Sequence, residues 1–407
     1  MSDARVLILG AGHAGGTAAA LLRQYGHAGP IVLVGEEPIA PYQRPPLSKA
    51  WLKGEADAAS LALKPPEFYA GADIDFRPGL RATGLDRGGK TVTFSNGETL
   101  AYDVLILATG ARPIVLPVPG ADLAGVQVLR TAADAEAIKA ELAPGKRIAI
   151  VGGGYIGLEV AASARALGAD AVVIERETRL LARSGGEVVA GFFQAYHEAR
   201  GVRVMLGASV VGFDGRDGRV CGVRLADGQV VACDAALMGV GITPNDGLAL
   251  ETGLRCARGV VVDLEARTSD PSIFAIGDVS HRPLPLYDRM FGPESVPNAL
   301  EQAKQAACAI VGRPPPPPEV PWNWSDQYDL KLQLAGLPFD ADRVVVRGDP
   351  AAAKFAVFHL KGDLIQQVEA VNAPAEFMAG KQLILNRKPV DLTRLADSSI
   401  SMKEVAA

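Results

Sequence analysis

The sequence predicts an α/β protein with two parallel-sheet units and a smaller α+β unit after them. Three observations carry this. A strand, glycine-rich turn, helix and strand follow one another within residues 6–34; the same order returns within residues 147–174; and alternating polar and apolar stretches follow a proline run. The chain has 407 residues, enough for two to three domains at about 150 residues each. With 48% hydrophobic and 21% charged residues it has the apolar content of a folded chain, which excludes a disordered one. A net charge of −5 gives no general attraction to nucleic acid or anionic membrane. The 45 glycines show no collagen period, so they point to many close backbone approaches.

Val6 to Leu9 is a short apolar run, Ala14 to Tyr25 is Ala/Leu-rich and helical, and Ile31 to Val34 is apolar again. Fully apolar strands joined through a helix make a parallel βαβ unit. Val104 to Ala108 reads as a further buried strand ending in Thr109-Gly110. In the second unit Arg147 to Val151 is the strand, Leu158 to Leu167 the helix and Ala171 to Ile174 the next strand. Ala235 to Val240 and Ser272 to Ile276 read as strands that end in glycine. Pro314 to Pro318 form a stiff linker that no helix or central strand admits. Beyond it, Lys331 to Leu334, Arg343 to Val346 and Lys354 to His359 alternate as antiparallel strands do. The uncharged stretch Val6 to Leu22 is broken by glycines and has no basic region before it, so we expect no targeting segment and a cytoplasmic protein.

Gly10, Gly12 and Gly15, with His13 and Ala14 between the last two, match G-x-G-x-x-G directly after a strand. In that pattern the first glycine makes the turn and the second lets a pyrophosphate approach the backbone. The third lets helix and strand pack closely. The helix N-terminus offers free N–H groups to phosphate. Glu36 ends the second strand, where a carboxylate accepts from ribose hydroxyls. Gly152, Gly154 and Gly157 repeat the arrangement around Tyr155 and Ile156, with Glu175 as the acidic partner. Two such turns, each in strand–turn–helix context, imply two Rossmann-like dinucleotide-binding domains and two nucleotides, most simply a flavin and a nicotinamide. A carboxylate at Glu175 favours NADH over NADPH, although Arg176 beside it is able to pair with a phosphate.

Arg44-Pro45-Pro46-Leu47-Ser48-Lys49 sets two cations about a rigid proline pair, suited to a pyrophosphate or an electron-rich ring edge. The four cysteines, Cys221, Cys233, Cys256 and Cys308, form no metal or redox spacing, so no metal site is expected. Residues 40–55 hold no cysteine. Hydride transfer needs no general base, so none of the five histidines is required for it. Lys381, Arg387 and Lys388 form a local basic patch in residues 378–390, where no acidic residue lies.

The sequence resembles the flavin-dependent NADH:ferredoxin reductases of bacterial oxygenase systems, of the putidaredoxin reductase and biphenyl-dioxygenase reductase type. These belong to the glutathione-reductase-like superfamily. The resemblance covers essentially the whole chain. It rests on GAGHAG (10–15), RPPLSK (44–49), ATGARP (108–113), GGGYIGLEVAA (152–162), GITPN (241–245), IFAIGDV (273–279) and PWNWSDQY (321–328), in that order. It implies FAD on the first unit and NADH on the second, with Asp278 on the ribityl chain. It also implies that Arg44, Lys49, Arg130 and Trp324 line the flavin while Glu159 pairs with Lys49 as the catalytic couple. Ala108, Thr109, Gly110, Gly277, Val296 and Gly241 are implied as further cofactor-binding positions. Pro297 stands where the family often has a polar residue, and it offers no N–H to a flavin.

The expected organisation is an FAD-binding domain at 1–110 and 241–319, an NADH-binding domain at 111–240 and a C-terminal α+β domain at 320–407. The expected function is electron transfer from NADH through FAD to a [2Fe–2S] ferredoxin that serves an oxygenase, a cytochrome P450 or a Rieske dioxygenase. The protein is expected to be a monomer or weak dimer that binds neither nucleic acid nor membrane. Two alternatives stay open: an NADH oxidase or peroxidase-like flavoenzyme, and a regulatory flavoprotein like apoptosis-inducing factor.

Overall fold

The computed structural model describes residues 3–65 and 67–406 and divides into two compact units. The first comprises Met1–Gln43, Ala58–Arg112 and Thr243–Trp322; the second comprises Arg44–Asp57, Pro113–Ile242 and Asn323–Ala407.

In the first unit Val6–Leu9 lies at the centre of a five-stranded sheet. Its order is Ile273–Ala275, Val104–Leu107, Val6–Leu9, Ile31–Val34 and Ile74–Arg77, all parallel. Every residue of the central strand is buried, because both faces are covered. Val6 and Ile8 join a core with Ala18, Leu22, Ala303 and Ala307, from helices His13–Gln24 and Val296–Val311. Leu7 and Leu9 face Val92 and Phe94 of an antiparallel three-stranded ribbon, Ala82–Asp86, Thr91–Phe94 and Thr99–Ala101.

The second unit repeats the scheme. Its parallel sheet runs Arg203–Met205, Asp170–Ile174, Arg147–Val151, Ala235–Met238 and Val126–Gln127. Ala149 and Val151 pack on Phe213, Val220 and Val223 of the ribbon Val210–Arg216, Arg219–Leu225 and Val230–Ala232. The helix begins at Tyr155 and not at Leu158, since Gly154 is extended (φ −82°, ψ −178°) and the next residue already turns.

A second, antiparallel sheet in this unit has the order Trp322–Gln327, Leu330–Gly336, Leu364–Val371, Lys354–Lys361 and Arg343–Asp349. Helix Pro374–Leu385 packs on it, and a Cβ at Gly380 would lie 2.8 Å from the Val368 side chain, so glycine is what lets the helix approach. The proline run lies between Val296–Val311 and Trp322–Gln327 and joins no helix or strand. Among the described residues no helix is long and apolar enough to cross a membrane.

Candidate functional site

The two glycine turns have the same construction, each within its own unit. Gly10 (φ +112°) and Gly152 (φ +109°) occupy backbone conformations that L side chains rarely adopt. A Cβ on Gly10 would lie 2.1 Å from the Ala108 carbonyl oxygen, and one on Gly152 would lie 2.4 Å from that of Gly239. A Cβ on Gly15 or Gly157 would meet the Gly10 or Gly152 oxygen at 1.9 or 2.2 Å. Gly12 and Gly154 differ, since a Cβ there would meet nothing within 4 Å. The middle glycine of each turn thus faces open space. Each is the N-cap of its helix, with no side-chain cap bond and no acidic residue in the first turn. Helix Ala132–Lys139, by contrast, is closed by a capping box between Thr131 and Asp134. Both nucleotide turns therefore leave helix N–H groups and open room for an anion, and the residues present fit a dinucleotide diphosphate.

In the first unit Glu36 is 70% exposed at the end of its strand, with Arg81 at 3.8 Å. Its neighbour Glu37 accepts from the Tyr42 hydroxyl at 2.6 Å. His13 and Ala14 open the helix. Thr109 and Asn245 bond reciprocally: Thr109 Oγ1 donates to the Asn245 carbonyl at 2.8 Å, and Asn245 Nδ2 donates to that of Thr109 at 3.0 Å. The Gly110 carbonyl also accepts from the Asn245 N–H at 2.9 Å. The ATGARP and GITPN segments are thereby fastened together. Gly277 (φ +75°) and Asp278 lie in a 3₁₀ turn. Fully buried Gln302 anchors that turn, its Oε1 accepting from the Gly277 N–H and the Ser280 hydroxyl, both at 2.8 Å. In the sequence Gln302 shows only as one of three amides, with Asn298 and Gln305, on an alanine-rich helix. Val296 is the first residue of that helix and Pro297 its second, behind the N-cap Ser295.

In the second unit Glu175 Oε2 accepts from the Gly153 N–H at 2.7 Å and Oε1 from the Glu177 N–H at 2.8 Å, which braces the carboxylate beside the turn. Arg176 turns to Glu177 at 2.9 Å on the surface. The Tyr155 hydroxyl donates to the Ser184 carbonyl at 2.9 Å, and burial raises its pKa above the usual phenol range. Ile156 is exposed beside it. Gly241 (φ +119°) accepts from the Ile114 N–H at 3.0 Å.

The same unit contains the cationic cluster. Arg44 Nη1 donates to the Arg130 carbonyl at 2.5 Å, so two of the expected residues meet. Lys49 Nζ lies 2.7 Å from Glu159 Oε2, with side chains 17% and 2% exposed. The Ser48 hydroxyl also donates to Glu159 Oε2, and Ser325 Oγ donates to Oε1 at 2.6 Å. Each carboxylate oxygen thus has a donor, as a buried charge requires. Trp324 precedes Ser325 on the strand and, by alternation, projects from the opposite face. Ser48 and Ser325 were legible only as members of quoted motifs. Cys221, Cys233, Cys256 and Cys308 are free, and burial pushes the Cys233 thiol up to about 12.

Residues 4–303 match the pyridine nucleotide-disulphide oxidoreductase family, and residues 322–406 match a reductase C-terminal family. The chain belongs to the pyridine nucleotide-disulphide oxidoreductase family. A Castellaniella defragrans protein named as a probable ferredoxin reductase is 52% identical over 406 residues, 100% of this chain and 99% of that one. Putidaredoxin reductase of Pseudomonas putida is 40% identical, covering 99% of this chain and 96% of that one. A crystal structure of the covalent putidaredoxin reductase–putidaredoxin complex matches with TM-score 0.97 and 40% identity, covering 99% of this chain and 98% of that one. The four cysteines of the chain all lie beyond residue 220, and residues 40–55 hold none.

Proposed function

We infer that this chain is an FAD-dependent NADH:ferredoxin reductase, and the duplicated open glycine turn is the observation that carries the reading. Bound FAD supplies a centre that takes two electrons as hydride and releases them singly. NADH gives two electrons, two ferredoxins take one each, and one proton is released, so the electrons and the proton balance.

The chain's own residues divide the work. The N–H groups behind Gly12 and Gly154 bind diphosphates, and Glu36 accepts from ribose hydroxyls. Glu175 accepts from the 2′-hydroxyl of NADH and repels a 2′-phosphate, while Arg176 is drawn off by Glu177. Asp278, on the turn anchored by Gln302, is assigned to the FAD chain. Lys49 and Glu159 are assigned to the redox step, with Lys49 as a fixed cation and Glu159 its anchor. Arg44, Arg130 and Trp324 are assigned to cofactor binding. We assign FAD to a domain of residues 1–110 and 241–319, NADH to residues 111–240, and a C-terminal domain to residues 320–407. We assign the partner as a [2Fe–2S] ferredoxin that serves an oxygenase, the compartment as the cytoplasm and the assembly as a monomer or weak dimer. The basic patch, with Arg387 and Lys388 exposed, is assigned to ferredoxin docking.

Reconstitution tests the reading. The purified chain takes up one FAD, turns yellow and is bleached by NADH without oxygen. Folded protein that binds no FAD would remove its basis.

A further inference from the structure

Behind Glu159 a line of buried polar groups runs on through the second unit. Ser325 Oγ, which donates to Glu159 Oε1, accepts from Gln327 Nε2 at 3.0 Å. Gln327 Oε1 lies 2.7 Å from His197 Nε2, and the Tyr328 hydroxyl lies 3.4 Å from His197 Nδ1. Ser325, Gln327 and His197 are all buried. An ionised carboxylate only accepts, so Ser325 must give its proton to Glu159 and take its own bond from the Gln327 amide nitrogen. The amide oxygen then faces His197, which must donate from Nε2 and leave Nδ1 to accept from Tyr328. Every bond in the line therefore points the same way and ends on Glu159. Burial and the nearby Arg200 disfavour the imidazolium, which agrees with a neutral His197. Apolar side chains in these places would avoid the cost of desolvating three polar groups. Aligned hydrogen bonds polarise one another, so the remote donor strengthens the bond at the carboxylate.

We propose that His197, acting through Gln327 and Ser325, is a positioning residue that fixes Glu159 as an ionised acceptor and so holds Lys49 for the redox step. The proposal rests on the assignment of Lys49 and Glu159 to that step. It requires a neutral His197 of the Nε2–H tautomer, and it makes the effect of His197 a matter of hydrogen bonding and not of volume.

The test uses the FAD-loaded full chain and anaerobic stopped-flow reduction by NADH. His197→Phe keeps a ring but removes the donor. The limiting reduction rate should fall about tenfold, while the NADH concentration for half-maximal rate stays within about twofold. His197→Gln can still donate from its amide and should remain within about threefold of wild type. Gln327→Met breaks the line at another point and should match His197→Phe. Wild-type rates in both His197→Phe and Gln327→Met, or equal losses in His197→Phe and His197→Gln, would overturn the proposal. Imidazole ¹⁵N spectra of the wild type give a readout independent of turnover. An Nε2–H resonance pattern at His197 supports the line and an Nδ1–H pattern overturns it. Lys49→Met separates the two claims. A loss there with none in His197→Phe overturns the line alone, whereas no loss at Lys49 overturns the assignment of the pair and the line with it.

Discussion

Glu175 shows how one side chain serves the fold and the cofactor at once. Two backbone N–H groups hold its carboxylate beside the Gly153 turn, which leaves it fixed at the strand end. Glu175→Ala is expected to narrow the ratio of kcat/KM for NADH over NADPH by about tenfold or more, the scale of one hydrogen bond to a charged group. The ratio is the quantity to measure, since loss of the Gly153 bond affects both cofactors alike; an unchanged ratio would mean that Glu175 does not face the ribose. At this scale the sequence was legible where a motif fixes the chemistry, as at Gly12 or Glu175. It was silent on Gln302 and His197, and gave Gln327 only a place in PWNWSDQY, because a buried amide or imidazole has no spacing rule and takes its meaning from partners distant in the chain.

Among the elements, the two glycine turns separate packing from binding. Gly157→Ala puts a methyl 2.2 Å from the Gly152 oxygen, a backbone atom that cannot swing away. The cost is about 1–3 kcal/mol, so melting of the second unit should fall by about 2–4 °C per kcal/mol. Gly154→Ala meets open space at a φ of −82° that alanine adopts. It should leave the melting midpoint unchanged while weakening NADH binding by about tenfold, because the methyl lies where the diphosphate must approach. Calorimetry and an NADH titration check the pair, and equal effects of the two substitutions would contradict the assignment. The parallel strands were readable because burial on both faces makes them continuous apolar runs. Trp322–Gln327 was not, since its buried positions carry Ser325 and Gln327. Helix Pro374–Leu385 has apolar residues on every side and gives no clear period.

For the molecule as a whole, acid stability follows from its buried histidines. Burial lowers the pKa of His27 and of His197 below the ordinary value near 6.5. The unfolded chain then binds more protons than the folded one at and below that value. Their contribution to stability is therefore full above about pH 6.5 and is lost as the pH falls through the folded pKa values. The melting midpoint between pH 5.5 and 7.5 should rise with pH and level off, and His197→Gln should flatten the rise; a midpoint that falls with rising pH would contradict the account. The central claim is that electrons enter from NADH and leave to a one-electron protein acceptor with no thiol on the way. It is tested most directly by anaerobic stopped-flow mixing of the NADH-reduced, FAD-loaded chain with an oxidised [2Fe–2S] ferredoxin, alongside a variant with all four cysteines replaced by serine. The account predicts two ferredoxins reduced per NADH at rates that agree within about threefold between the two proteins. Failure to reduce any of a panel of ferredoxins, or a loss of orders of magnitude in the folded cysteine-free variant, would contradict it.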